Sequence, residues 1–139
     1  MLSEKTFGVI SLGCDKNRVD TEKMLGLIKS RGYRLTDDLA EAQIVIINTC
    51  AFLQSARQEA IETVFDCVGY KAGKLEKIVV TGCLPQKFID ELYEPLQEVD
   101  VFLGIQDYEK LFEALEASYQ HDERENFVGK GKEIGRAHV

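Results

Sequence analysis

The sequence predicts an α/β domain in which a parallel sheet of about five strands carries helices on both faces. Three observations lead there. Short β-branched runs alternate with amphipathic stretches from one end of the chain to the other. The strongest run, Ile44 to Asn48, is apolar at every position but its last, the pattern of a central parallel strand buried on both sides. A length of 139 residues with 45% hydrophobic content supports one compact core without the signature of a disordered chain.

Each element has its own local reason. "FGVISLG", Phe7 to Gly13, is the first strand. "NRVDTEKMLGLIKSRG" predicts a helix with Asn17 as N-cap, Asp20 three residues on, Met24, Leu25 and Ile28 inward, and Gly32 as its stop. "YRL" is a weak second strand and "AQIVIINTC" holds the third. From Leu53 a helix presents Ala56, Ala60, Ile61, Val64, Phe65 and Val68 at helical spacing and breaks at "GYKAG". "KIVVTGC" is a buried strand, and "PQKFIDELYEPL" a helix with Pro85 in its first turn and Phe88, Ile89 and Leu92 on one side. "VDVFLG" is the fifth strand; Asp107 then caps a helix that turns Tyr108, Leu111, Phe112 and Leu115 inward. There is no internal repeat beyond this unit. Residues 1–118 form the domain, and 119–139 read as a polar, Gly/Lys-rich linker whose final "GRAHV" has the look of vector-derived residues.

Charge and segment types narrow the function classes. A net charge of −7 weighs against direct nucleic-acid binding by this domain and is compatible with a basic protein partner. No apolar run approaches the length of a membrane helix, and "MLSEKTFGVISLG" lacks the features of a secretory signal, so a cytoplasmic protein is expected. In that compartment four cysteines, Cys14, Cys50, Cys67 and Cys83, do not call for disulfides. His121 and His138, both in the polar C-terminal region, offer little to a mixed Cys/His zinc site.

Three of the cysteines share one kind of position. Cys14 follows "VISLG", Cys50 follows "IVIINT" and Cys83 follows "IVVTG", each just past the end of a predicted strand and before a helix. In an open parallel sheet those ends lie on one edge, where ligands bind, and a helix N-terminus favours the thiolate. Three converging thiolates need a cation, and soft sulfur selects iron–sulfur clusters, zinc or cuprous copper. Zinc normally takes four ligands, often from tight C-x2-C pairs, which the chain lacks. A [4Fe-4S] cluster on three thiolates leaves one iron open. The competing reading is that cysteine packs as a small buried hydrophobe; it stands for any one of the three, and three equivalent positions weigh against it. Cys67, mid-helix beside Val64 and Val68, reads as structural. Lys16, Asn17, Asp20, Asn48, Thr49, Thr81 and Gln86 flank the three positions and either cap and brace turns or hydrogen-bond sulfur. Glu59, Glu62, Glu91 and Glu94 read as solvated helix faces.

Taken together, "SLGCDKNRVDTE", "NTCAF" and "VTGCLPQ" resemble the N-terminal domain of the radical S-adenosylmethionine methylthiotransferases, over roughly Thr6 to Leu115. The resemblance implies a flavodoxin-like three-layer fold and an auxiliary [4Fe-4S] cluster on Cys14, Cys50 and Cys83, which act as ligands and not as nucleophiles. The wording "GCDKNRVDTE" and "GCLPQ" is similar to the branch that modifies the β-carbon of an aspartate in a small-subunit ribosomal protein; the tRNA-modifying branch is the alternative. That family's catalytic domain carries a C-x-x-x-C-x-x-C motif for a second [4Fe-4S] cluster and S-adenosylmethionine. The motif is absent from these 139 residues, so the chain is expected to be a non-catalytic piece that docks on its own radical domain.

Two rivals remain at this level. A phosphoryl-transferring cysteine at the first strand end, as in low-molecular-weight phosphatases, needs arginine after C-x5, where this chain has Asp20. A non-catalytic flavodoxin-like binding module would bury its cysteines inertly.

Overall fold

The computed structural model describes residues 5–12, 15–49, 54–82, 96, 98–104, 110–121 and 125–127, and for 15–20, 54–57, 121 and 125–127 the backbone alone. Its elements run β1 (Thr6–Ser11), α1 (Asp15–Ser30), β2 (Arg34–Leu35), β3 (Ile44–Thr49), α2 (Gln54–Val68), a 3₁₀ turn (Gly69–Ala72), β4 (Lys77–Gly82), β5 (Val101–Leu103), α3 (Leu111–His121) and β6 (Glu125–Phe127). Six strands form one sheet in the order β2-β1-β3-β4-β5-β6, and every neighbouring pair is parallel. The order 2-1-3-4-5 is the flavodoxin-like doubly wound arrangement, in which the winding reverses between β1 and β3.

Alternation along the central strands divides the core into two layers. Val45 and Ile47 of β3 and Ile78 and Val80 of β4 face Ala60, Val64 and Cys67 of α2. Ile44, Ile46 and Val79 face the other way, onto Met24 and Ile28 of α1 and Leu111, Phe112 and Leu115 of α3. The sheet is therefore covered on both sides, as the apolar runs in its strands require. Phe7, Tyr33 and Phe112 lock that second layer: Phe7 stacks on Tyr33 at 5.5 Å, and Phe112 meets Tyr33 edge-on at 5.0 Å.

Several local expectations hold and several shift. Gly32 ends α1 with a φ of +80°; its N–H donates to the Lys29 carbonyl while Tyr33 N–H donates to Ile28, the bonding of a Schellman motif. The start of α1 is earlier than expected: the helix begins at Asp15, so Asn17 sits inside its first turn rather than before it. On α2 the inward stripe is Ala60, Val64 and Cys67, and Phe65 is 53% exposed. At about 100° per residue Cys67 returns to the azimuth of Ala60, whereas Phe65 points about 140° away. Cys67 is thus a core residue and Phe65 is not. β6 falls in the segment read as linker; three residues, "ENF", among charged neighbours give no periodic signal to find. The expected helix from Pro85, with Phe88, Ile89 and Leu92, lies outside the described residues, as do Asp107 and Tyr108. Leu96, at the end of that stretch, is 2% exposed in the α2-side layer.

The end of β4 is unusually tight. Gly82 has φ +104°, and a Cβ there would lie 2.5 Å from the Thr49 carbonyl oxygen, 2.6 Å from Asn48 Oδ1 and 2.8 Å from the Thr49 nitrogen. Glycine alone satisfies both the backbone conformation and the close approach of β3. Gly82→Ala is expected to lower stability by about 2 kcal/mol or more, from left-handed strain plus overpacking; a denaturant melt within about 0.5 kcal/mol of wild type contradicts this.

The buried Cys67 thiol gives a second expectation. Burial, and after it the neighbouring Asp66 charge, push its pKa up to about 11. The folded chain binds that proton more tightly than the unfolded one, so the associated stability is present below about pH 9 and is lost as pH rises toward 11. At pH 8 an alkylating reagent is expected to spare Cys67 in the folded chain and to modify it in denaturant, as read by peptide mass mapping; equal labelling in both states contradicts the placement.

Candidate functional site

The C-terminal rim of the sheet is set by register. Ser11 of β1 pairs with Asn48 of β3, and Thr49 of β3 pairs with Gly82 of β4. The β1–β3 ladder runs one residue further, with Leu12 N–H donating to the Asn48 carbonyl at 2.9 Å. β1, β3 and β4 are consecutive in the sheet, so their ends form one continuous edge that spans the point where the winding reverses. Thr49 and Gly82 immediately precede Cys50 and Cys83, and Cys14 falls between Leu12 and the start of α1 at Asp15. Cys14, Cys50 and Cys83 themselves lie outside the described residues. Among the described residues no three or more His, Cys, Asp or Glu side chains gather into a group.

Beneath the rim lies a set of buried polar side chains in otherwise apolar strands. Asn48, Thr49 and Thr81 are fully buried, and Thr21 is 8% exposed. Asn48 Nδ2 donates to Thr21 Oγ1 of α1 at 3.0 Å. Thr49 Oγ1 donates to the Thr81 carbonyl at 2.7 Å, and Thr81 Oγ1 donates to the Gly104 carbonyl at 3.3 Å. A hydroxyl has one proton, so Thr49 and Thr81 spend theirs within the protein and have none for a sulfur acceptor. Of the flanking polar residues, Thr49 and Thr81 therefore brace the rim, and Asn48 braces it through its bond to Thr21. The side chains of Lys16, Asn17, Asp20 and Gln86 lie outside the described set.

Two contributors were not singled out by sequence. Thr21 occupies the inward stripe of α1 with Met24, Leu25 and Ile28; a lone polar residue in an apolar stripe was the available signal. Gly82 was quoted with Cys83, yet a glycine before a cysteine carries no message until the approach of β3 is seen.

The conspicuous charges are at the opposite edge. Lys5 pairs with Glu76 at 2.8 Å, and Tyr119 Oη donates to Glu76 at 2.7 Å. Burial works to raise the Glu76 carboxyl, while hydrogen bonds from Lys5 and Tyr119 and the Lys5 charge more than offset it and hold the carboxyl below its ordinary value. Tyr119 moves the other way, raised by burial and then by its bond to Glu76. These groups precede β1 and β4 or sit on α3, so they tie the N-terminal ends of the sheet together, away from the rim.

Known proteins resemble this chain over most of its length. The chain is 46% identical over 118 residues to the ribosomal protein uS12 methylthiotransferase RimO of Clostridium tetani, covering 85% of this chain and 26% of that protein. It is 49% identical over 109 residues to the protein of the same name from Clostridium perfringens, covering 78% and 24%, and 41% identical over 128 residues to that from Geobacter sulfurreducens, covering 91% and 29%. The chain thus spans about a quarter of the length of the curated relatives it matches. A family model matches residues 6–104, which takes in β1 through β5 and all three cysteine positions at the strand ends. This chain belongs to the family described as Uncharacterized protein family UPF0004.

Proposed function

We propose that this chain is the N-terminal domain of a methylthiotransferase whose Cys14, Cys50 and Cys83 together ligate an auxiliary [4Fe-4S] cluster. The observation that carries the reading is the register at the rim: three adjacent strands end together, Cys50 and Cys83 come immediately after β3 and β4, and Cys14 follows β1 after Leu12 and Gly13. Registered neighbours lie about 4.8 Å apart, so Thr49 and Gly82, the residues that precede Cys50 and Cys83, stand side by side at the rim. The donor chemistry fits: three sulfur ligands, with no fourth from cysteine or histidine nearby in sequence, suit a cubane with one open corner better than a closed zinc site. When bound, such a cluster supplies an iron able to take an exogenous sulfur species. The chain's own part is to present three thiolates at a rim whose backbone is fixed by Gly82 and braced by Asn48, Thr49 and Thr81.

The whole protein, in this reading, adds a methylthio group to the β-carbon of an aspartate in a small-subunit ribosomal protein, in the cytoplasm. The similarity to ribosomal protein uS12 methylthiotransferases supports a ribosomal protein as substrate. The cluster domain takes in β6, whose Phe127 pairs with Leu103, so the boundary expected at 118 moves past that strand and only the residues after it lead toward a radical domain, which holds a second [4Fe-4S] cluster and S-adenosylmethionine. No catalytic residue is assigned to the present chain.

Anaerobic reconstitution with iron and sulfide tests the ligand set. Wild type and Cys67→Ala are expected to take up about four irons per chain with a brown absorption, and Cys14→Ala, Cys50→Ala and Cys83→Ala each to lose it. Retention of the full cluster in all four variants refutes the assignment, as does its loss from Cys14→Ala alone. In the full-length enzyme the same three substitutions are expected to abolish the mass gain on the ribosomal protein, while Cys67→Ala leaves it in place.

A further inference from the structure

One side chain at the rim connects the elements that adjoin all three cysteines. Asn48 stands two residues before Cys50. Its Nδ2 reaches across to Thr21 Oγ1 on α1, the helix that starts directly after Cys14. Its Oδ1 lies over Gly82, close enough that a Cβ added there would sit 2.6 Å away. The bond to Thr21 spans 27 positions in sequence and joins a helix to a strand that shares no ladder with it, so no backbone bond duplicates it. By contrast the Thr49–Thr81 bond reinforces β3 and β4, which are already paired.

Stability alone does not call for this arrangement. β3 is apolar through Ile47, and a β-branched residue at 48 would continue its pattern without burying an amide. A buried polar group placed where an apolar one would serve marks a position selected for geometry.

We propose that Asn48 and Thr21 are positioning residues that set the separation of the Cys14, Cys50 and Cys83 turns before any metal arrives. This rests on the reading of those three cysteines as cluster ligands. The amide pins the second turn of α1 to the end of β3, and its oxygen packs on the backbone of Gly82, so the elements adjoining the three cysteines are held together. Loss of the pin leaves the fold in place and loosens the site, as removal of a supporting shell does around bound metals.

Thr21→Val keeps the shape and deletes the acceptor; Thr21→Ser keeps the acceptor. Both are compared with wild type and with Thr49→Val in the 139-residue chain, by two readouts. In the metal-free chain, amide exchange over the segment from Leu12 to Lys16 is expected to quicken about tenfold in Thr21→Val and to stay near wild type in Thr21→Ser, with the strand amides of β3 unchanged. After reconstitution, iron is expected to leave to a chelator about 10- to 100-fold faster from Thr21→Val, with Thr21→Ser within about twofold of wild type, and Thr49→Val falling between them because strand pairing backs up its bond. Equal behaviour of Thr21→Val and wild type in both readouts overturns the positioning role, as does equal impairment of the valine and serine variants. If Thr21→Val fails to fold, Thr49→Val carries the iron readout, and wild-type retention there overturns the bracing of the rim. Wild type that takes up no iron sinks the cluster reading and the ligand-setting role with it, whereas loaded wild type with an indifferent Thr21→Val sinks the positioning role alone.

Discussion

Parallel pairing obliges β1, β3 and β4 to end side by side at one rim of the sheet, and Ser11, Thr49 and Gly82, far apart in the chain, lie along it. The pairing in turn depends on burial from both sides. β3 and β4 are fully buried strands between α2 on one face and α1 with α3 on the other, and neither layer closes without the apolar residues that alternate along them. The rim is thus a consequence of the core: what fixes the strands in the middle of the domain also fixes the direction in which each strand delivers its final residue.

At the rim the same strands change character. Asn48, Thr49 and Thr81 replace the aliphatic residues that precede them, and each is buried. Burying an amide or hydroxyl is unfavourable unless a partner is found, and the bonds to Thr21, Thr81 and Gly104 supply partners inside the protein. Gly82 adds a conformational constraint at the one place where β3 and β4 approach too closely for a side chain. The polar network and the glycine together make a stiff platform, the condition under which loops beyond the strands can hold ligands in a defined arrangement.

Much of this was legible in the sequence, because the signals are periodic. The apolar runs of β3 and β4 identified central strands, and their alternation with helical stretches led to a doubly wound sheet; the observed order adds β6, a three-residue edge strand too short to announce itself. The rim was legible too, since "NTC" and "TGC" sit where strands must stop. The bracing was not. Thr21 and Asn48 lie 27 positions apart, and nothing local in either predicts the other as partner. Phe65 was misplaced for a local reason: the apolar residues of α2 span a wide arc, and packing buries Ala60, Val64 and Cys67 while Phe65, at the margin of that arc, faces solvent.

The proposed convergence of three sulfur atoms at one rim can be measured without any metal. A short thiol-specific bifunctional reagent applied to the reduced, folded, metal-free chain, followed by peptide mapping, reports which cysteines lie within its span. Links joining Cys14 to Cys50 and Cys50 to Cys83, with Cys67 unlinked, are the predicted result. Absence of links among those three in the folded chain, or links that form only after denaturation, would contradict the account.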